Sequence, residues 1–273
     1  MHSAVKKLLV FLLPLYWATF GVAQVQQTSQ TCDRLTATGN PEYPPYLWQS
    51  PDDPRRLIGA NALIFEEISK RLGVPIDLIF VGPWSRSQEE VRAGRVDLMA
   101  GAFLTLPRLE YMDYIYPAFL TTRSVVWTRQ QTDLGYSERS DLIPHRGSTV
   151  INNSFGQVFD QYMVQNLRIE PVASLEQAFR MLAQSRVDYV LYEDFPGQAY
   201  ATRLGLDQQL HSLEPPVSQE ALFLGVSHRS ECNTGYLRGR ITQIMTELDR
   251  EGFNEQALKQ GLALWQEQNP QDP

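Results

Sequence analysis

The sequence has few of the residues that carry metal, redox or nucleophilic chemistry. Its 273 residues include only two cysteines and four histidines. Cys32 and Cys232 form neither a CxxC motif nor the Cys/His spacing of a zinc site. There is also no nucleophile elbow, no Ser/His/Asp order and no phosphate-binding glycine loop. The sequence therefore predicts no metal, no cofactor and no catalytic residue.

Positive charge is also scarce. The chain has 24 lysines and arginines against 31 aspartates and glutamates, which gives a net charge of -7. Nucleic-acid-binding proteins normally present a basic surface, and anionic membranes attract basic segments. We therefore expect neither a nucleic-acid partner nor docking on an anionic membrane surface.

A long apolar run occurs only near the N-terminus. Two lysines precede an apolar stretch over residues 8–20, which Pro14 interrupts, and Gly21 and Ala23 are small residues at the positions that a signal peptidase reads. The stretch is short for a membrane span of about 20 residues. The pattern predicts a signal peptide over residues 1–23, cleaved after Ala23, and a periplasmic protein.

The two cysteines follow this segment and would meet an oxidising compartment. There, an isolated pair forms a disulfide or remains as two buried thiols. A bond between Cys32 and Cys232 would join the N-terminus to a late helix and close a very long loop. We favour the disulfide, although the sequence leaves both alternatives open because it does not give the distance between the Cβ atoms.

Strand and helix patterns alternate along the chain, which is typical of α/β architecture. We expect strands over residues 34–38, 76–81, 96–100, 124–128, 149–151, 169–172, 187–192 and 221–226. We expect helices over residues 57–72, 83–94, 155–165, 175–184, 197–204 and 234–250. Residues 266–273 are polar and contain two prolines, so we expect this tail to fray.

The order of these elements predicts two lobes. The chain leaves the first lobe near residue 122 and re-enters it near residue 222. We therefore expect lobe 1 to comprise residues 24–122 and 222–273, and lobe 2 to comprise residues 123–221. Two chain crossings form a natural hinge, and the cleft between the lobes is the expected ligand site.

Short motifs follow one another along nearly the whole of the chain after the predicted signal peptide. They are Tyr43-Pro44-Pro45-Tyr46, Leu57-Ile58-Gly59, Lys70-Arg71-Leu72-Gly73, Trp84, Gly94-Arg95-Val96-Asp97, Thr105-Leu106-Pro107-Arg108, Asp113-Tyr114-Ile115-Tyr116-Pro117, Asn153-Ser154-Phe155-Gly156, and Val187-Asp188 with its continuation to Asp194. Each motif alone is a weak signal, but their order and spacing are specific. Together they resemble extracellular solute-binding protein family 3, the periplasmic receptors of polar amino-acid uptake systems.

This resemblance implies a fold and a function. The fold would be the type II periplasmic-binding-protein fold, α/β with two lobes, each a mostly parallel sheet flanked by helices. The function would be to capture a small carboxylate-bearing ligand, an amino acid or a derivative, by hinge closure. The resemblance further implies a monomer that delivers this ligand to a membrane ABC permease. The alternatives are a dehydratase-like periplasmic enzyme on the same scaffold and a soluble sensory receptor.

Arg108 is the first candidate for a ligand-binding residue. Its guanidinium presents a planar fork of donors that matches a carboxylate bidentately. Arg108 ends the motif that begins at Thr105. In the family, the arginine of this motif binds the α-carboxylate of the ligand. The alternative is a solvated surface arginine beside Glu110.

The second lobe would supply the remaining polar contacts. Asn153 and Ser154 precede a helix expected to begin near Phe155, where a capping serine and backbone N–H groups would also favour a carboxylate. The family's ammonium-binding aspartate falls on Glu193 or on Asp194, depending on the direction of counting. We favour Asp194 because its shorter side chain holds its geometry better. Either acid could instead be a helix N-terminal residue favoured by the dipole.

Aromatic residues complete the predicted site. Tyr43, Tyr46, Trp48 and Trp84 follow strand ends, where they could stack on a ligand, or they could belong to the core. Tyr43 and Trp84 are the better candidates by position.

The sequence also departs from the family pattern at three positions. Asn40 stands where the family often has an acid, Phe103 where it often has serine or threonine, and Asn61 where it has an aspartate. These changes favour an aromatic or less charged carboxylate over a standard polar amino acid.

Overall fold

The computed structural model describes residues 32–132 and 134–270. The predicted signal peptide, residues 1–23, lies outside the described residues. Within the described part, none of the helices combines the length and the apolar character that a membrane crossing requires.

The chain forms eleven strands in its described part. They are β1 (Leu35–Thr38), β2 (Glu42–Tyr43), β3 (Leu47–Gln49), β4 (Leu57–Ile58), β5 (Ile76–Leu78), β6 (Leu98–Phe103), β7 (Met112–Arg129), β8 (Arg146–Val150), β9 (Arg168–Val172), β10 (Tyr189–Glu193) and β11 (Leu210–Ser227). Eight of them form one sheet in the order β5-β1-β6-β11-β7-β10-β8-β9, and β2, β3 and β4 form a small second sheet.

Eight α-helices flank these sheets in the described part. They are α1 (Ala60–Leu72), α2 (Trp84–Arg92), α3 (Leu106–Leu109), α4 (Gln157–Asn166), α5 (Leu175–Ala183), α6 (Asp194–Arg203), α7 (Gly235–Arg250) and α8 (Phe253–Gln268). A short 3-10 helix spans Arg139–Leu142.

The large sheet consists of two parallel groups joined by two long antiparallel strands. β1 pairs in parallel with β5 and β6, and β8 pairs in parallel with β9 and β10. β7 and β11, each 18 residues long, pair with one another between these groups. We call β5-β1-β6 with its helices the first half, and β10-β8-β9 with its helices the second half.

The expected lobe boundaries fall within the two long strands. The part of β7 near Ser124 pairs with β10 of the second half, and the part of β11 near Leu222 pairs with β6 of the first half. This pairing supports division near residues 122 and 222, and we retain those boundaries as a proposal.

Helices α1 and α6 begin at other residues than the sequence predicts. The first helix begins at Ala60 and not at Leu57, because Leu57 and Ile58 pair with β3, and Gly59 follows with a φ of 123°. A Cβ at Gly59 would lie 2.6 Å from the Trp48 ring, so the close approach also requires glycine. Helix α6 begins at Asp194 and not at residue 197, because Pro196 is tolerated in a first helical turn.

The last helix was not expected, and it overturns part of the prediction of a fraying tail. Helix α8 continues to Gln268, so residues 266–268 are helical. Its buried face places Ala257, Gly261 and Trp265 one turn apart. A Cβ at Gly261 would lie 2.5 Å from the Pro45 carbonyl oxygen, so glycine lets α8 pack closely on the first half.

Cys32 and Cys232 are joined in a disulfide. The bond connects the residues before β1 with the segment before α7, across a sequence separation of 200 residues. It holds the beginning of the described chain to the C-terminal part of the first half.

Candidate functional site

A small cavity lies between the two halves, where parallel strands of both end. Asn40 follows β1 and Phe103 ends β6, while Asn153 follows β8 and Glu193 ends β10. Ligands of open α/β sheets bind at the carboxyl ends of such strands. The cavity volume is about 20 Å³, which is room for about one water molecule. The lining residues are Asn40, Tyr43, Leu47, Asn61, Trp84, Ala100, Gly101, Ala102, Phe103, Arg108, Asn153, Ser154, Glu193 and Leu222.

Arg108 contributes a buried guanidinium to this lining. Its residue is 5% exposed, so it does not have the solvated surface position of the alternative reading. Nη1 donates to the Phe103 carbonyl at 3.2 Å, and Nη2 donates to the Asn152 carbonyl at 3.4 Å. The guanidinium also lies over the Trp84 ring, 5.3 Å from its centroid. Because the fork carries five N–H groups, donors remain for a further acceptor.

Glu193, and not Asp194, is the acid at the cavity. Glu193 is 1% exposed at the end of β10, and its Oε2 has no hydrogen-bond partner among the described residues. Burial raises the pKa of this carboxyl to about 8, with the Glu193 backbone N–H and the charge of Arg108 opposing the shift. The carboxyl therefore keeps its proton at neutral pH.

Asp194, the acid that the sequence favoured, lies outside the lining of this cavity. It opens α6, where its Oδ1 accepts the Phe195 N–H at 2.7 Å, and its Oδ2 lies 3.7 Å from Nη1 of Arg123. Glu193 is the last residue of β10 and lines the cavity, whereas Asp194 is already the first residue of α6.

Several buried polar atoms around the cavity have no hydrogen-bond partner within the described part of the chain. Buried polar groups are normally paired, and each unpaired one costs about 1–3 kcal/mol. These atoms include donors and acceptors, so together they match a ligand that carries both. They are Tyr43 Oη, Asn61 Oδ1, Trp84 Nε1, Asn153 Nδ2 and Glu193 Oε2.

Ser154 has a different role from the expected helix cap. Helix α4 begins at Gln157 and not near Phe155, and Gly156 takes the N-cap position without a side-chain cap. The Ser154 hydroxyl donates to the Asp160 carboxylate, which also accepts the Phe155 N–H at 2.7 Å. Asp160, in the first turn of α4, thus accepts hydrogen bonds from two residues that precede the helix. The side-chain amide nitrogen of Asn153 has no partner among the described residues and lies at the cavity.

Two of the expected aromatic residues line the cavity, namely Tyr43 and Trp84. Tyr46 is fully buried and packs against Tyr43, with ring centroids 5.0 Å apart, but it does not reach the lining. Trp48 belongs to the core: its Nε1 donates to Gln268 Oε1 at 2.9 Å. Thr105 is the buried N-cap residue of α3 and also stays outside the lining.

Several lining residues were not predicted from the sequence as part of the site. Asn61 was noted only as a departure from the family, yet its Nδ2 donates to the Ala100 carbonyl at 2.7 Å and braces β6. A buried asparagine at the start of an amphipathic helix was the available signal. The other missed residues are Leu47, Ala100, Gly101, Ala102 and Leu222, which are apolar or small and carried no polar signal.

Residues 35–260 match the family described as bacterial extracellular solute-binding proteins, family 3. The chain belongs to this family. The match covers most of the chain and confirms the resemblance seen in its motifs. No curated protein sequence matches the chain significantly.

Solved structures of solute-binding proteins share this fold. A mutant of ArgBP from T. maritima matches with a TM-score of 0.71 at 16% identity, covering 85% of this chain and 96% of that one. The substrate-binding protein of an amino acid ABC transporter matches with a TM-score of 0.69 at 17% identity, covering 84% and 99%. A histidine kinase sensor domain similar to periplasmic binding proteins matches with a TM-score of 0.70 at 19% identity, covering 84% and 96%.

These identities are low, so the structural matches establish the fold alone. They confirm the expected two-lobe periplasmic-binding-protein fold, with a large sheet flanked by helices. The family is one of binding proteins and not of enzymes, which removes support for the dehydratase-like alternative. The chain is therefore a solute-binding protein.

Proposed function

We propose that this solute-binding protein captures a small amino-acid-like carboxylate in the periplasm, between its two halves, and delivers it to an ABC permease. The observation that carries the proposal is the buried guanidinium of Arg108 in a lining rich in unpaired polar atoms. A guanidinium that is removed from water binds a carboxylate more strongly than an exposed one does.

The second polar group of the ligand would meet the other side of the lining. Glu193 and Asn61 offer unpaired oxygens, and Asn153 offers an unpaired amide N–H. In a ligand with an amino or hydroxyl group near its carboxylate, the carboxylate would accept from Arg108 and the second group would bind the unpaired oxygens. This composition supports an amino acid or a derivative over a simple fatty acid.

The apolar part of the lining restricts the side chain of the ligand. Phe103, Leu47 and Leu222 form the apolar wall, and Asn40 replaces the acid that the family often has. Since the buried Glu193 keeps its proton, the lining offers no ionised acid, and a cationic side chain would have no partner. We therefore propose an apolar or aromatic side chain for the ligand.

A thermal-shift screen against amino acids and small carboxylates tests the proposal. A ligand that binds only the folded protein raises its melting temperature. We expect apolar or aromatic amino acids to raise it for the wild type and to raise it much less for Arg108→Lys. A screen in which no compound of this class raises the melting temperature would contradict the proposal.

A sensory role is the second candidate, because one matching structure is a histidine kinase sensor domain. Such a receptor would bind the same ligand but report it to a partner protein. Uptake of the radiolabelled ligand by cells with and without the gene separates the two roles. Loss of uptake on deletion supports delivery to a permease, and unchanged uptake supports sensing.

A further inference from the structure

The hydroxyl of Tyr114 reaches the same backbone oxygen as the guanidinium of Arg108. Tyr114 Oη donates to the Phe103 carbonyl at 2.7 Å, and Arg108 Nη1 donates to this carbonyl at 3.2 Å. A carbonyl oxygen has two lone pairs, so it can accept from both side chains at once. The three residues belong to three elements, since β6 ends at Phe103, α3 carries Arg108 and β7 carries Tyr114. We call these three residues the Phe103 cluster.

The large sheet fixes the position of the Tyr114 ring. Tyr114 pairs with Gly225 of β11, and its ring packs edge-on against Phe223 of the same strand, with ring centroids 5.8 Å apart. β11 in turn pairs with β6 through Leu222 and Phe103. The phenol and the carbonyl that it binds therefore stand on strands of one sheet, which hold them at a constant distance.

The phenol of Tyr114 is a neutral donor. Burial raises its pKa above the ordinary value, and the nearby charge of Arg108 opposes this rise. The hydroxyl therefore keeps its proton at neutral pH and donates it to the Phe103 carbonyl. In this way the phenol orients the carbonyl without adding a charge to the site.

The groups that hold the Arg108 guanidinium are likewise uncharged. They are the Phe103 carbonyl, the Asn152 carbonyl and the ring of Trp84. A carboxylate in the place of one of them would form an ion pair with the guanidinium and would compete with the carboxylate of a ligand. Neutral support fixes the side chain and leaves its charge for the ligand.

We propose that Tyr114 is a positioning residue for ligand binding: its hydroxyl fixes the Phe103 carbonyl, which in turn fixes the plane of the Arg108 guanidinium. This inference rests on the proposed function, since it takes Arg108 as the group that binds the carboxylate. Tyr114 stands outside the lining of the cavity, so it acts through the carbonyl and not by touching the ligand. A bidentate contact requires the fork and the carboxylate to share a plane, so losing the hydroxyl should weaken binding.

A double-mutant cycle tests the path through Arg108. The proteins are the wild type, Tyr114→Phe, Arg108→Lys and the double variant, titrated calorimetrically with the standard L-amino acid that raises the melting temperature of the wild type most. We expect Tyr114→Phe to bind about two- to tenfold more weakly than the wild type, and to cause no further loss in the Arg108→Lys background. Wild-type affinity of Tyr114→Phe, or an equal loss in both backgrounds, would overturn the inference and leave the proposed function intact.

Tyr116→Phe is the matched control on the same strand. The ring of Tyr116 also packs against Phe223, with centroids 5.0 Å apart, but the residue is 56% exposed. We expect this variant to bind the amino acid as the wild type does. Denaturant unfolding of both variants separates positioning from a purely structural role, because a structural role would lower the stability of Tyr114→Phe and leave its affinity unchanged.

Side-chain ¹⁵N spectra of the ligand-free protein test the positioning without any ligand. The Arg108 signals are identified by their absence from the spectrum of Arg108→Lys. We expect separate, sharp Nη signals in the wild type and in Tyr116→Phe, and broadened ones in Tyr114→Phe, because a less restrained guanidinium rotates faster. Unchanged signals in Tyr114→Phe would overturn the inference. If no amino acid binds the wild type, the proposed function fails, and these spectra still decide whether Tyr114 positions Arg108.

Discussion

The guanidinium of Arg108 lies over the indole of Trp84, 5.3 Å from the ring centroid. Both residues are buried, so the contact holds the cation in place with little competition from water. The aromatic face and two backbone carbonyls thus fix the orientation of the donor fork before a ligand arrives. Pre-organisation of this kind lowers the entropic cost of binding.

This contact predicts the effect of changing the ring. Trp84→Leu removes the aromatic face and should weaken ligand binding about two- to thirtyfold, because a cation–π contact contributes about 0.5–2 kcal/mol. Trp84→Phe keeps a ring and is the matched control, with a smaller loss. Calorimetric titration with the best ligand of the screen measures both. Equal affinity of Trp84→Leu and the wild type would show that the ring does not position Arg108.

Burial of Glu193 predicts a dependence of stability on pH. The pKa of its carboxyl rises from 4.5 to about 8 on folding. Between these values the unfolded carboxyl is ionised while the folded one keeps its proton, so the free energy of unfolding falls as pH rises. The group's contribution is fully present below pH 4.5 and is lost by about pH 8. The charge of Arg108 opposes this rise of the pKa, and the charge of Asp194 adds to it.

Glu193→Gln should remove this part of the pH dependence. Denaturant titrations between pH 5 and pH 8 should give a steeper fall for the wild type than for the variant, by up to about 1.4 kcal/mol per pH unit. Glu170→Gln, at an exposed position of β9, is the control and should follow the wild type. Parallel curves for the wild type and Glu193→Gln would contradict the assigned pKa shift.

The disulfide should contribute to stability through the length of the loop that it closes. Replacing Cys32 and Cys232 together by serine should cost about 2–5 kcal/mol, because the unfolded chain then regains the entropy of an open loop. For a chain of this size, that loss lowers the melting temperature by about 5–15 °C. Calorimetry checks the value, and a reducing agent should lower the melting temperature of the wild type but not of the double variant.

Two helical glycines predict opposite effects of the same substitution. In α6, a Cβ at Gly197 would lie 2.5 Å from the Trp127 ring, so Gly197→Ala should destabilise the protein by about 1–3 kcal/mol. In α7, a Cβ at Gly239 would meet no atom within 4 Å, so Gly239→Ala should stabilise it by about 0.5–1 kcal/mol. Denaturant unfolding measures both. Equal effects of the two substitutions would contradict the packing described for α6.

The sequence predicted those features that depend on local pattern. The alternation of strands and helices, and the motif that ends in Arg108, are each encoded within a short segment. The position of Glu193 at the cavity is not encoded within a short segment, because it depends on where β10 ends. Pairing of Glu193 with Ser124 in β7 sets that register, and no local pattern reports it.

Other parts of the lining could not be predicted for a related reason. Leu222 reaches the cavity because β11 returns to pair with β6, and Asn61 reaches it because its amide binds the Ala100 carbonyl. Both positions depend on contacts between distant segments. The volume of the cavity likewise depends on how closely the two halves approach.

In the proposed function, the guanidinium of Arg108 binds the carboxylate of a ligand in this cleft. Isothermal titration of the best ligand from the screen into the wild type, Arg108→Lys and the exposed control Arg168→Lys tests it most directly. We expect a loss of well over tenfold in affinity for Arg108→Lys alone, because lysine cannot offer the bidentate fork. Circular dichroism should show that this variant keeps the wild-type fold. Equal affinity of all three proteins would show that Arg108 does not bind the carboxylate of the ligand.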